Sequence, residues 1–132
     1  MRRTALVPLI ALSACIEAPV EPTLEGGALA FQQDCAACHG TDARGAGSFG
    51  RELLRQPPDL THLAANNGGV FPRDYVMSTI DGFTRGDHFS AAMPEFGAGD
   101  MGPTVIVEED GLGTPVPSRL LALAIWLESV QE

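Results

Sequence analysis

The stretch Cys35-Ala36-Ala37-Cys38-His39-Gly40 constrains this chain more than any other part of its sequence. Residues three and four apart share one face of a helix, so a helical turn here directs Cys35, Cys38 and His39 toward the same space. Two thiols and an imidazole on one face can hold a single flat ligand. The fold must then be built around that ligand.

Three kinds of site use such a motif. The C-x-x-C-H spacing is the attachment sequence of c-type haem, in which Cys35 and Cys38 form thioethers and His39 becomes the proximal iron ligand. A redox dithiol requires a preceding strand and an α/β pattern, and the sequence has neither. A structural zinc site requires a fourth ligand, for which His62 and His88 are the only other histidines and no second cysteine pair exists. We therefore predict one covalently attached haem c.

The length of 132 residues limits the chain to one domain. Such a domain buries a modest core, so a large apolar cofactor would fill much of the interior and contribute directly to stability. The 15 glycines and 10 prolines predict helices joined by long, irregular loops.

Residues 1–14 are predicted to be a targeting segment outside the fold. Two arginines precede an apolar stretch, Ala5 to Leu12, which is too short to span a membrane as a stop-transfer helix. The sequence Leu12-Ser13-Ala14-Cys15 resembles the lipobox of bacterial lipoproteins. That resemblance implies cleavage before Cys15 and lipid attachment to its sulfur; the alternative is an ordinary secretory signal in which Cys15 is incidental. Both predict an exported chain.

The rest of the chain divides into a tether and a haem domain. Residues 15–23 are predicted to form the lipidated cysteine and a short tether rich in proline and glutamate, and residues 24–132 the domain. Assigning Cys15 to lipid and the other two cysteines to haem leaves no thiol over. We expect the protein in the bacterial cell envelope, lipid-anchored and facing the periplasm, with the choice between inner and outer membrane open.

The mature chain is strongly acidic. Loss of residues 1–14 removes two of eight basic residues, which leaves six arginines against 17 acidic residues and a net charge of about −11. Nucleic acid and anionic membrane surfaces are poor partners for such a protein. Redox proteins with a basic docking face fit better, and their association should weaken as salt rises.

Three stretches have the apolar spacing and flanking signals of helices: about Leu24 to Cys38, Pro72 to Asp81, and Ser118 to Val130. Thr23 and Ser118 can act as N-caps of the first and last helix. Gly82 can end the middle helix, whose inward face is predicted to carry Tyr75, Val76, Thr79 and Ile80. Gly27 stands four residues before Phe31, on the same face. Glycine weakens a helix, so its presence predicts that the last helix passes close by, with Trp126 in the crossing.

The order of these features resembles a class I (monohaem) cytochrome c. The resemblance rests on Gly27-x-x-x-Phe31, the haem motif, a middle helix, Met93-Pro94-x-Phe96 and a terminal Leu-x-x-Trp-Leu, and covers about residues 24–100 and 117–130. It implies an all-α fold of three to five helices around one haem. Residues 97–116 are then an insertion, either a small hairpin or flap near the ligand loop or a solvated loop.

The same resemblance implies that Met93 is the distal iron ligand. Pro94 restrains Met93 to extended backbone, so the sulfur is presented from a loop. A thioether opposite histidine favours ferrous iron and occupies the position that oxygen or peroxide would need. His88 and Met101 are rival ligands, whereas Met77 is better explained as core.

Other residues near the haem are predicted with alternatives open. The Pro57-Pro58 segment resembles the one whose proline carbonyl accepts a hydrogen bond from the proximal imidazole, and the choice between the two prolines is open. A rigid turn is the competing interpretation. Arg44 and Arg51, in the glycine-rich stretch after the motif, can bind a haem propionate or remain solvated.

Together these features predict a carrier of single electrons between respiratory or photosynthetic redox partners, by outer-sphere transfer. No residue need act as acid, base or nucleophile, and no small-molecule substrate is expected. Two alternatives stay open: the protein is a haem-bearing subunit of a larger dehydrogenase or oxidase, or, if Met93 does not ligate iron, a peroxidase-like or ligand-sensing haem protein.

Overall fold

The computed structural model describes residues 22–85, 92–109 and 111–132. Within them, the elements in chain order are α1 (Leu24–Asp34), α2 (Ala36–His39), α3 (Leu63–Asn66), α4 (Arg73–Asp81), β1 (Thr104–Glu109), β2 (Leu112–Pro117) and α5 (Ser118–Ser129). Three short 3₁₀ turns lie in the connections. The mostly helical architecture with long loops confirms the predicted fold class, to which the structure adds one β-hairpin.

Helix α1 begins where the sequence predicts and ends earlier. The hydroxyl of Thr23 accepts a hydrogen bond from the Gly26 N–H at 3.1 Å, which confirms the N-cap. The predicted single helix to Cys38 is divided, because Cys35 has a φ of −115° that departs from helical geometry. The haem motif therefore has a helical turn of its own, α2.

Helices α1 and α5 cross at Gly27, as predicted. A Cβ atom at Gly27 would overlap the carbonyl oxygen of Ala122 and lie 2.7 Å from the Cβ of Trp126, so only glycine allows this approach. The rings of Phe31 and Trp126 pack with centroids 4.2 Å apart and planes tilted by 34°. Arg119 adds a surface link, since its Nε donates to an Asp34 carboxylate oxygen at 2.9 Å.

The predicted capping by Ser118 is wrong. Strand β2 stays extended through Pro117, which therefore occupies the N-cap position, and Ser118 is the first helical residue. Its N–H donates to the Pro103 carbonyl at 2.8 Å. Its hydroxyl is buried and has no hydrogen-bond partner among the described residues.

Helix α4 packs its Val76 and Ile80 side chains into the core and ends at Gly82, whose φ of +100° is the left-handed cap that the sequence predicts. Tyr75 was expected to turn inward as well, but its side chain remains 57% exposed. Its side chain lines the cleft described below and is not enclosed by the core.

Strands β1 and β2, in the region predicted to be an insertion, form a hairpin, which is one of the alternatives left open by the sequence. Strands β1 and β2 pair antiparallel, from Thr104 opposite Pro117 to Glu109 opposite Leu112. Val116 is buried and packs against the helical core, whereas Ile106 on the other face of the hairpin is 64% exposed. No helix in the described ranges combines the length and apolar character needed to cross a bilayer.

Candidate functional site

Helix α2 gathers the three motif side chains on one wall of a cleft. The His39 N–H donates to the Cys35 carbonyl at 2.9 Å, and the Gly40 N–H donates to the Ala36 carbonyl at 2.9 Å. These bonds form one helical turn, which Gly40 ends with a φ of +80°. Cys35, Cys38 and His39 all line the same cleft.

The glycine-rich loop that follows supports α2 from behind. Its backbone N–H groups reach the carbonyls that a helix end leaves unpaired: Gly45 to His39 at 2.7 Å, Gly47 to Cys38 at 3.1 Å and Phe49 to Ala37 at 2.9 Å. The approach is so close that a Cβ on Gly47 would lie 2.6 Å from the Ala36 carbonyl oxygen. The loop thus fixes the orientation of the haem motif.

The cleft is large, and its lining is mostly apolar. Its volume is about 440 Å³, within the range of small-molecule and cofactor pockets. Met93 lies in its lining together with the motif. The apolar walls come from α1, α4, α5 and two loops: Phe31, Leu53, Pro57, Pro58, Leu60, Ile80, Pro94, Phe96, Leu123 and Leu127.

The two thiols are free, and the surroundings of Cys35 disfavour redox exchange. Burial raises the pKa of Cys35 to about 12, the nearby Asp34 carboxylate raises it further, and Arg119 opposes this. Redox-active C-x-x-C pairs instead have a cysteine whose pKa is lowered. The preceding element is also a helix and not a strand. The redox-dithiol interpretation is therefore not supported.

The imidazole of His39 is held largely out of solvent. Burial lowers its pKa, and the backbone carbonyl of Pro58 acts in the opposite direction. The ring therefore favours its neutral form, which is the form that binds a metal ion. Its Nδ1 is buried and has no hydrogen-bond partner of ordinary geometry among the described residues.

The zinc interpretation receives no support in the part of the chain that the structure describes. No group of three or more histidine, cysteine or acidic side chains converges there as a metal site. His62 lies outside the cleft, with its Nδ1 3.0 Å from the Thr61 hydroxyl and 3.4 Å from the Asp59 carboxylate. It is an exposed surface residue.

The donor set and the cleft fit a haem. The two free thiols, one at the N-cap of α2 and one within it, can form thioethers with it, and the imidazole beside them is neutral and half-buried. Met93 lines the same apolar cleft, and thioether sulfur and imidazole nitrogen are axial ligands that haem iron accepts. All four residues line this one cavity.

Several other candidates lie elsewhere. Arg44 pairs with Glu132 and Asp59, and Arg51 donates to the Ala46 carbonyl at 2.5 Å; neither side chain lines the cleft. Met101 is buried in the core behind the hairpin, and Met77 packs against the core as expected. Two further candidates lie outside the described residues: His88 and Cys15.

The structure also brings residues to the cleft that the sequence analysis did not single out. Arg55 and Gln56 are polar members of the lining. The position of Arg55, just before the Pro57-Pro58 segment, was the one available signal. Arg85 contacts the Met93 loop, a contact that no local sequence pattern indicates.

Comparison with known proteins gives one match. A family model described as cytochrome c oxidase, cbb3-type, subunit III matches residues 22–108, which include α1, the haem motif, α4 and the Met93 loop. No curated protein and no solved structure shows significant similarity to the chain. The match begins two residues before α1 and ends within β1.

Proposed function

Because the chain belongs to the cytochrome c oxidase cbb3-type subunit III family, whose cytochrome c domain binds haem c covalently and transfers electrons, we propose that this protein is an exported, lipid-anchored carrier of single electrons. Its iron is held between His39 and Met93. Cys35 and Cys38 hold the porphyrin through thioethers. The haem supplies reversible one-electron chemistry when bound.

The observation that carries the proposal is the composition of the single cleft described above. Two thiols and a neutral imidazole come from one helical turn, and Met93 comes from a separate loop that lines the same cavity. The apolar walls keep water from the ligands, which limits the reorganisation that accompanies a change of charge.

Pro58 is the proposed acceptor for the proximal imidazole. Its carbonyl is the backbone group that raises the pKa of His39, against the lowering by burial. The Pro57 carbonyl instead packs against Gly45 in the neighbouring loop. A hydrogen bond from His39 Nδ1 to Pro58 fixes the tautomer and leaves Nε2 for the iron. It also makes the imidazole a stronger donor.

An absorption spectrum with and without carbon monoxide tests the proposal. With Met93 bound, we expect a six-coordinate ferrous form that does not bind carbon monoxide and a weak far-red band in the ferric form. Rapid carbon monoxide binding by the wild-type protein would reject the carrier and favour the peroxidase-like or ligand-sensing alternative.

The proposed location and partners follow from sequence charge and the lipobox. A lipid on Cys15 and the tether of residues 16–23 would keep the domain near the membrane, facing the periplasm. The acidic mature chain favours redox partners with a basic docking face, so electron exchange should slow as salt rises.

A second candidate function is a subunit of a terminal oxidase. The description of the matching family names an oxidase subunit, and this observation favours permanent assembly over free diffusion. Gel filtration of the native, detergent-solubilised protein separates the two. A single small haem species supports the carrier, and co-migration with a larger redox complex supports the subunit.

A further inference from the structure

We propose that Arg85 is a positioning residue for the axial methionine, an inference that rests on the proposed ligation of iron by Met93. Its Nη1 donates to the Met93 carbonyl at 2.6 Å, and its Nη2 donates to the Pro94 carbonyl. One guanidinium group therefore spans two successive carbonyls, those of the ligand and of the proline that follows it.

Arg85 follows directly after the hydrogen-bonded C-terminal end of helix α4. Helix α4 ends with three N–H groups, from Gly82, Phe83 and Thr84, all donating to the Ser78 carbonyl at 2.9 to 3.1 Å. This tight end determines where the chain leaves the helix, and Arg85 is the next residue. The end of α4 thus serves as a rigid support for the guanidinium.

The far side of the ligand loop lies against the same helix end. A Cβ on Gly97 would lie 2.6 Å from the Asp81 carbonyl oxygen, and one on Gly82 would lie 2.8 Å from Glu95 Cγ. The loop from Met93 to Gly97 is therefore held at both ends: by Arg85 at its start and by direct packing on α4 at its finish.

The consequence concerns the direction of the Met93 side chain. Pro94 confines Met93 to extended backbone but leaves the whole peptide free to rotate as a unit. Hydrogen bonds to two consecutive carbonyls remove that rotation, because a planar guanidinium fixes the orientation of both groups. The Met93 side chain is then held in the orientation that ligation requires. Once displaced it rebinds quickly, so an external ligand replaces it more slowly.

Lysine would not substitute fully for Arg85. An ammonium group is a point donor that can satisfy one carbonyl strongly, whereas the guanidinium fork matches two. We therefore expect Arg85→Lys to fall between the wild type and Arg85→Gln in every measurement of methionine exchange.

The experiment measures the rate at which added imidazole displaces the methionine from the ferric holoprotein. The loss of the far-red band is the signal that is recorded. Arg85→Gln should accelerate displacement about tenfold or more, the effect of losing hydrogen bonds to a charged donor. Arg73→Gln is the matched control: it removes the same charge from the other end of α4, where Arg73 pairs with Glu128. The control should exchange at the wild-type rate.

The outcomes separate this inference from the function on which it rests. A wild-type protein without the far-red band rejects Met93 ligation, and the positioning role falls with it. A wild-type protein with the band, together with an Arg85→Gln rate within twofold of the wild type, rejects the positioning role alone. Equal acceleration by Arg73→Gln would also reject it, as a general effect of charge. If Arg85→Gln does not accumulate, Arg85→Lys is measured in its place, with faster exchange expected and an unchanged rate decisive against the proposal.

Discussion

Gly27 of α1 lies directly against the backbone of Ala122 in α5, with no room for a side chain between the helices. The contact brings Phe31 onto Trp126 and places α5 beside the haem motif. Close helix packing at this point therefore determines the shape of the cleft as well as the stability of the domain.

We predict that Gly27→Ala lowers the free energy of unfolding by about 1–3 kcal/mol, the usual range for overpacking. The added methyl group must displace backbone of α5, which outweighs the gain of about 1 kcal/mol in helix propensity. Denaturant titration of the holoprotein measures the change. Gly26→Ala is the control, because Gly26 is adjacent in α1 but not buried; it should be neutral or slightly stabilising. Equal stability of the two variants would contradict the role assigned to the crossing.

We predict that Met93→Ala retains covalently bound haem, loses the far-red ferric band and has a lower reduction potential, because a thioether favours ferrous iron. Its ferrous form should bind carbon monoxide rapidly. Met101→Leu is the control: Met101 is buried away from the cleft, and a volume-conserving change there should keep the band. A band that persists in Met93→Ala would show that another residue is the ligand.

Asp59 should contribute to the acid dependence of stability. The Thr61 hydroxyl and N–H donate to one of its carboxylate oxygens at 2.6 and 2.8 Å, and these bonds lower the pKa of Asp59 below its ordinary value of 3.8. The native state then binds this proton less readily than the unfolded chain. The stabilisation is present above pH 3.8 and is lost as the pH falls through the native pKa.

Asp59→Asn should therefore be less thermally stable than the wild type above pH 3.8, and the two melting temperatures should converge at lower pH. Melting temperatures of both proteins over a pH series give the comparison. Thr61→Ser keeps the hydroxyl donor and should retain the wild-type acid dependence. A difference between Asp59→Asn and the wild type that does not change with pH would argue against this assignment.

We predict that Cys15→Ala moves the cytochrome from the membrane fraction to the soluble fraction of the cell envelope without changing its absorption spectrum. The proposed acyl chains on Cys15 would supply the membrane attachment, since more than one chain gives stable anchoring. Fractionation followed by haem staining measures the distribution. A variant still bound to membranes would count against the lipid anchor.

Local sequence signals predicted the parts of the fold that depend on local physics. Thr23 caps α1, Gly82 ends α4, and the cost of a helical glycine indicated the crossing at Gly27. The break at Cys35 was not predicted, because nothing in the apolar spacing distinguishes one helix from two with different axes.

The sequence predicts the site residues that lie together in one motif. It predicts less well the residues that only the folded chain brings to the site. Cys35, Cys38 and His39 are adjacent in sequence, so their spacing was enough to place them together. The long-range contact from Arg85 to the Met93 loop depends on how α4 ends. For the same reason the sequence could not choose between a propionate-binding and a solvated Arg44: its pairing with Glu132, outside the cleft, follows from tertiary structure alone.

The wall that α5 contributes has a kinetic consequence. Leu123 and Leu127 line the cleft opposite residues from α1 and α2, so the cavity exists only when the two ends of the domain have met. Bringing distant segments together carries an entropic cost of loop closure that slows folding. Unfolding should accordingly be a cooperative event, in which the α1 and α5 interface and the cavity are lost together and neither frays before the other.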